Sequence, residues 1–146
     1  MLRICNLNKS YGDLHVITDL NLDVSAGEVV AIIGPSGAGK STLLRCLNYL
    51  EKPQKGIIEI DGVCVDAENH TEKDIRNLRS KTSMVFQNYN LVPVLNVYEN
   101  IVLPTQLDGN TPDSDYIQSI VETLGLQTKL QNLPNNLSGG QQQRVA

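Results

Sequence analysis

Aromatic residues are scarce in this 146-residue chain: no tryptophan, a single phenylalanine (Phe86), and 4% aromatics in all. Basic charge is also in short supply. Lys and Arg number 12 against 16 Asp and Glu, giving a net charge of -4. With no basic block there is no electrostatic footprint for tracking a phosphate backbone, which argues against a nucleic-acid partner. Cysteine is limited to Cys5, Cys46 and Cys64, an odd number without CxxC or Cys/His spacing, so no metal site is expected and the chain reads as one from a reducing cytosol. Each cysteine sits among apolar residues, where a buried thiol is the ordinary outcome. Long hydrophobic runs are missing too. The longest, residues 29–33, is far too short to cross a bilayer, and no charged-then-apolar segment opens the chain, so any membrane contact has to be through a partner. What is present is 40% hydrophobic and 19% charged residues, enough for one globular core and outside the disordered and fibrous classes.

The pattern along the chain alternates strands and helices without repeats. Residues 2–7, 16–24, 28–33, 56–60 and 82–86 are short and rich in β-branched residues between turn signals such as Tyr11-Gly12-Asp13 and Asp61-Gly62, which predicts strands. Over residues 40–50 the positions Leu43, Leu44, Leu47 and Leu50 share a helical face, and Pro53 ends the pattern. Thr111-Pro112 with Asp113 and Asp115 predicts a capped, acid-rich helix start. Ile117, Ile120, Val121 and Leu124 then keep helical spacing up to Gly125. The acidic stretch of residues 68–74 reads as solvated surface, and His15 and His70 as solvated loop residues.

The strongest chemical signal is Gly34-Pro35-Ser36-Gly37-Ala38-Gly39-Lys40-Ser41, followed by Thr42. It matches the P-loop pattern G-x-x-x-x-G-K-[ST], between an apolar strand and a leucine-faced helix. The glycines let successive backbone N–H groups and the helix N-terminus close on a polyphosphate. Lys40 would reach the β- and γ-phosphates, and the Ser41 hydroxyl would ligate Mg²⁺. The pattern points to ATP with Mg²⁺, but alone it does not choose among kinases, GTPases, helicases and transporters. The N-K-x-D signature of GTPases is not met: Asn8-Lys9-Ser10-Tyr11 has Tyr in the fourth place.

A second motif narrows the choice. Leu137-Ser138-Gly139-Gly140-Gln141, followed by Gln142-Gln143-Arg144, lies about a hundred residues after the P-loop lysine. Ser138 with Gln141 has the form of a capping box at a helix start, and the two glycines leave backbone N–H groups open to an anion there. Together with the P-loop it resembles the signature of the ABC ATPase family. The segments Leu44-Arg45-Cys46-Leu47-Asn48 and Gln141-Gln142-Gln143-Arg144 are most similar to the importers of polar amino acids, whereas Val92 departs from the aromatic residue common there.

The resemblance implies an α/β fold of the P-loop NTPase (ABC ATPase) type with an N-terminal antiparallel β part and a helical subdomain. Residues 1–87 would form the β part and P-loop core, 88–137 the helical subdomain, and 138–146 the start of the signature helix. It further implies that Tyr11 stacks on adenine with Val16 flanking it, and that Gln87, directly after a predicted strand, contacts Mg²⁺ or the attacking water while its loop faces a membrane domain. Leu137, Ser138, Gly139, Gly140 and Gln141 would meet the nucleotide in trans, in a head-to-tail dimer with a second ATPase subunit. Permease subunits in the membrane and a solute-binding protein would complete the system, and the subunit would lie peripherally on the cytoplasmic face of the inner membrane. The family's Walker B strand, catalytic Glu and switch His follow the signature and are not within these residues, so the chain alone is expected to lack hydrolysis and its last helix to fray. Three alternatives stand beside an importer subunit: an ATPase of the SMC type, which the short separation of the motifs argues against; a soluble ABC ATPase without a membrane partner; and a non-catalytic nucleotide-binding fragment.

Overall fold

A computed structural model describes residues 1–86 and 88–146. The chain divides into two compact units, Met1–Met84 and Val85–Ala146. Among the described residues no helix is long and apolar enough to cross a membrane.

The first unit is built on a four-stranded antiparallel sheet of order β2-β1-β3-β4, formed by β1 (Leu2–Tyr11), β2 (Leu14–Val24), β3 (Lys55–Ile60) and β4 (Val63–Asp66). Both hairpins turn on two residues. Gly12 takes φ 57° in the first, and Asp61 and Gly62 take φ 47° and 80° in the second, the positive values that match a tight turn to the twist of its strands. The first hairpin is longer than the predicted strands because the turn brings Tyr11 opposite Leu14. It is also irregular. Asn6 and Asp19 both adopt positive φ. Asn8 bridges the distortion, donating from Nδ2 to the Asn6 carbonyl at 2.8 Å and to Asp19 Oδ1 at 2.9 Å. Helix α1 (Lys40–Leu47) and helix α2 (Glu72–Arg79) accompany the sheet, and Ile4, Leu7, Ile58, Val65, Cys46 and Leu78 form the center of the buried core.

Several expectations are corrected here. Residues 28–33 and 82–86 form no strand, since a strand exists through its ladder and neither segment finds a partner among the described residues. Their apolar side chains are left open, Val29 at 94% and Ile33 at 91% exposure. Helix α1 stops at Leu47, with Tyr49 at φ 56° beyond it. Its buried positions are Leu43 and Cys46, whereas Leu44 and Leu50 are exposed. Cys64 is exposed rather than buried because alternation along β4 turns Val65 inward and Cys64 outward. The acidic stretch does lie at the surface, with Glu68 and Glu72 exposed, and it contains the start of α2, where Thr71 and Asp74 form a capping box.

The second unit contains α3 (Val97–Leu107), α4 (Ser114–Thr123) and α5 (Gly139–Val145). Helix α4 is capped by Asp113, which accepts from the N–H groups of Asp115 and Tyr116. Its core gathers Val97, Val121, Leu126, Leu137 and Val145. Helix α5 spans seven residues, with Ser138 as its cap and Val145 buried.

Candidate nucleotide-binding site

The P-loop connects residues 28–33 to α1, and its conformation follows from its glycines. Gly37 and Gly39 take φ 82° and 86°, left-handed values that other residues reach only at a cost of about 1–2 kcal/mol. Gly39 is the N-cap of α1 and supplies no side-chain cap. The N–H groups of Lys40, Ser41 and Thr42, in the first turn, therefore have no intrahelical acceptor and point along the positive end of the helix dipole. Such a terminus following a glycine-rich loop suits a polyphosphate.

Lys40 folds back over the loop. Its Nζ donates to the carbonyls of Gly34 at 2.8 Å and Pro35 at 2.7 Å, which ties the ammonium to the start of the loop. Ser41 is exposed in the first turn, and its hydroxyl is an oxygen donor of the kind hard cations prefer. Toward the C-terminal end of α1 the buried side carries Cys46, whose thiol is pushed up to about 11, first by burial and then by Glu51, against the opposing pull of Lys9. It is a neutral packing group at physiological pH.

Val16 borders the loop. A Cβ placed on Gly39 would lie 2.8 Å from Val16 Cγ1 and 3.2 Å from its carbonyl oxygen. The two residues also line a hollow of about 250 Å³ together with Ile32, Ala38 and Lys40. Tyr11 ends β1 and is 44% exposed, with the Lys9 ammonium 4.6 Å from its ring centroid. Gln87 lies outside the described residues.

The signature residues belong to the second unit. Ser138 caps α5 as predicted: its Oγ accepts from Gln141 N at 3.3 Å, while Gln141 Oε1 accepts from Ser138 N at 2.9 Å. Gln142 Nε2 donates to the carbonyls of Pro134 and Leu137, fastening the segment that leads into the motif. Leu137 is buried, and Gly139 and Gly140 are exposed.

Two residues at these places escaped the sequence reading. Lys9 is buried at 7% exposure, inward-facing two positions after Leu7, and strand alternation is the signal that could have found it. Asn100 secures the loop before α3: its Nδ2 donates to the carbonyls of Val92, Leu95 and Asn96, and its Oδ1 accepts from Val92 N at 2.7 Å.

Residues 17–146 match the family model of the ABC transporter. The probable amino-acid import ATP-binding protein YxeO of Bacillus subtilis is 45% identical over 99% of this chain and 59% of its own length. The glutamine transport ATP-binding protein GlnQ of the same organism is 43% identical over 100% of this chain and 60% of its own. Among solved structures, a dimeric ABC transporter cassette, MJ0796, superposes with a TM-score of 0.81 at 34% identity, covering 99% of this chain and 66% of that one. The chain thus spans about three fifths of the length of the curated relatives it matches.

Proposed function

We propose a function from one premise: the chain belongs to the ABC transporter family. Its P-loop, residues Gly34 to Thr42, binds the triphosphate of ATP. The observation that carries this reading is the uncapped start of α1 behind two left-handed glycines, with the Lys40 ammonium held over the loop. Lys40 places positive charge against the β- and γ-phosphates, where charge-assisted hydrogen bonds are strongest. Magnesium, when bound, neutralises triphosphate charge, and Ser41 and Gln87 are the residues assigned to hold it. Tyr11 offers a ring for adenine and Val16 a flanking wall.

In the whole protein, Leu137, Ser138, Gly139, Gly140 and Gln141 meet the nucleotide of a second subunit in a head-to-tail dimer. The dimeric form of the similar cassette supports this arrangement. Nucleotide-driven closure of that dimer moves permease subunits, with a solute-binding protein delivering cargo, on the cytoplasmic face of the inner membrane. The transport names of the relatives, for amino acids and for glutamine, favour a polar amino acid as that cargo and ATP hydrolysis as the source of work. Binding of MgATP, measured by calorimetry on the chain and on Lys40→Ala, tests the assignment at its base.

A further inference from the structure

Lys9 puts a charged side chain on the buried face of β1. The inward position before it on the strand is Leu7, which is fully buried, and an apolar side chain would continue that face without taking a charge out of water. Instead the Lys9 ammonium donates to the Lys52 carbonyl at 2.9 Å, approaches the Glu51 carboxylate at 3.4 Å and lies 4.6 Å from the centroid of Tyr11. Lys9 and Tyr11 are two residues apart on one strand and so project to the same side. Tyr11 nevertheless keeps 44% of its surface exposed. One ring face is thus occupied by a fixed cation while much of the remaining surface meets solvent.

We propose that Lys9 is a positioning residue for adenine recognition: it clamps the inner face of Tyr11, presents the outer face for stacking, and ties that ring to the segment that follows the phosphate-binding helix. The inference rests on the ATP-binding reading above. Cation attraction to a ring face fixes the ring's orientation. It also draws π-electron density toward the cation, which makes the opposite face a better platform for an electron-rich purine. Glu51 and Lys52 come shortly after α1, so the same ammonium links the Tyr11 end of the hairpin to the segment that follows that helix.

The experiment titrates the chain with MgATP and, separately, with magnesium tripolyphosphate, which carries the phosphates but no base. Wild type, Lys9→Met, Lys9→Arg, Tyr11→Ala and the Lys9→Met/Tyr11→Ala pair are compared. Lys9→Met is expected to weaken MgATP about fivefold, the affinity equivalent of a cation–π contact at a partly exposed ring, and to leave tripolyphosphate unchanged. Lys9→Arg restores most of the loss, and Lys9→Met has no further effect once Tyr11 is Ala. Equal losses for both ligands, or a loss that persists without Tyr11, overturn the proposal. If Lys9→Met does not fold, proton NMR of the wild type decides: the Lys9 ε-methylene signals, shifted by the Tyr11 ring current, move with ATP and not with tripolyphosphate, and signals indifferent to ATP overturn it. A wild type that binds neither ligand contradicts the ATP-binding reading and this proposal with it, whereas binding of both ligands with no Lys9 effect contradicts the proposal alone.

Discussion

Val16 packs so tightly on Gly39 that a methyl group at position 39 would sit 2.8 Å from Val16 Cγ1. Gly39 is also left-handed, at φ 86°, so Gly39→Ala meets both a backbone cost of about 1–2 kcal/mol and a clash. Affinity for MgATP and for tripolyphosphate should fall together, by about tenfold. Adding Val16→Ala should recover only part of the loss, because the Val16 carbonyl remains 3.2 Å from the new carbon. Calorimetric titration checks both statements. Unchanged affinity in Gly39→Ala would mean that the loop is not the phosphate site.

Gly56 poses a purely structural case. Its φ is 104°, and a Cβ there would lie 2.6 Å from Leu7 Cα and 2.7 Å from the carbonyl oxygens of Asn6 and Cys5. All three are backbone atoms, so no rotamer change relieves the contact. Gly56→Ala should destabilise the first unit by about 3 kcal/mol or more. Urea denaturation followed by circular dichroism measures it, and a midpoint unchanged from wild type would show that β1 and β3 are not this close.

The P-loop and the Ser138 cap were legible in the sequence because each is a local device. A left-handed glycine, a lysine at a helix start and a capping box act within a few residues of chain. The hairpin turn at Tyr11-Gly12-Asp13 was legible for the same reason. Residues 28–33 and 82–86 read as strands on their shortness, β-branched content and flanking turn signals, yet such content expresses fit to a pleated neighbour, and none is present among the described residues. Leu50 continues the helical period in the sequence, but the left-handed Tyr49 breaks the chain away first. Lys9 was missed because its partners lie on a segment more than forty residues away. Asn100 was missed although its partners are near, because a carbonyl-gathering amide has no composition signal.

Asn100 makes its own prediction. Asn100→Ala leaves the Val92 N–H and three carbonyls without their side-chain partner. The expected cost is about 2 kcal/mol for a half-buried network of this kind. Hydrogen exchange at the Val92 amide should accelerate, since Asn100 Oδ1 is its acceptor at 2.7 Å. An amide equally protected in the variant would show that the loop is held by something else.

Alkaline pH should loosen the first unit. Burial pushes the Cys46 thiol from 9.0 up to about 11 and the Tyr49 phenol from 10.0 up to about 12. Below pH 9 both groups are protonated in folded and unfolded chains, and the full stability is present. Above it the unfolded chain releases protons that the fold retains, so stability falls with rising pH and the decline ends only beyond about 12. Thermal melts across this range should show a falling midpoint, and Cys46→Ala should flatten its lower part. A midpoint independent of pH above 9 would mean that neither group is buried as described.

ATP binding at the P-loop is measured by calorimetric titration of the chain with MgATP beside Lys40→Ala. The wild type should bind, and the variant should lose roughly ten- to a hundredfold in affinity, the equivalent of a charge-assisted hydrogen-bond set at about 1.5–3 kcal/mol. A wild type that does not bind MgATP, or a Lys40→Ala chain that binds it as tightly, would contradict a phosphate site at this loop.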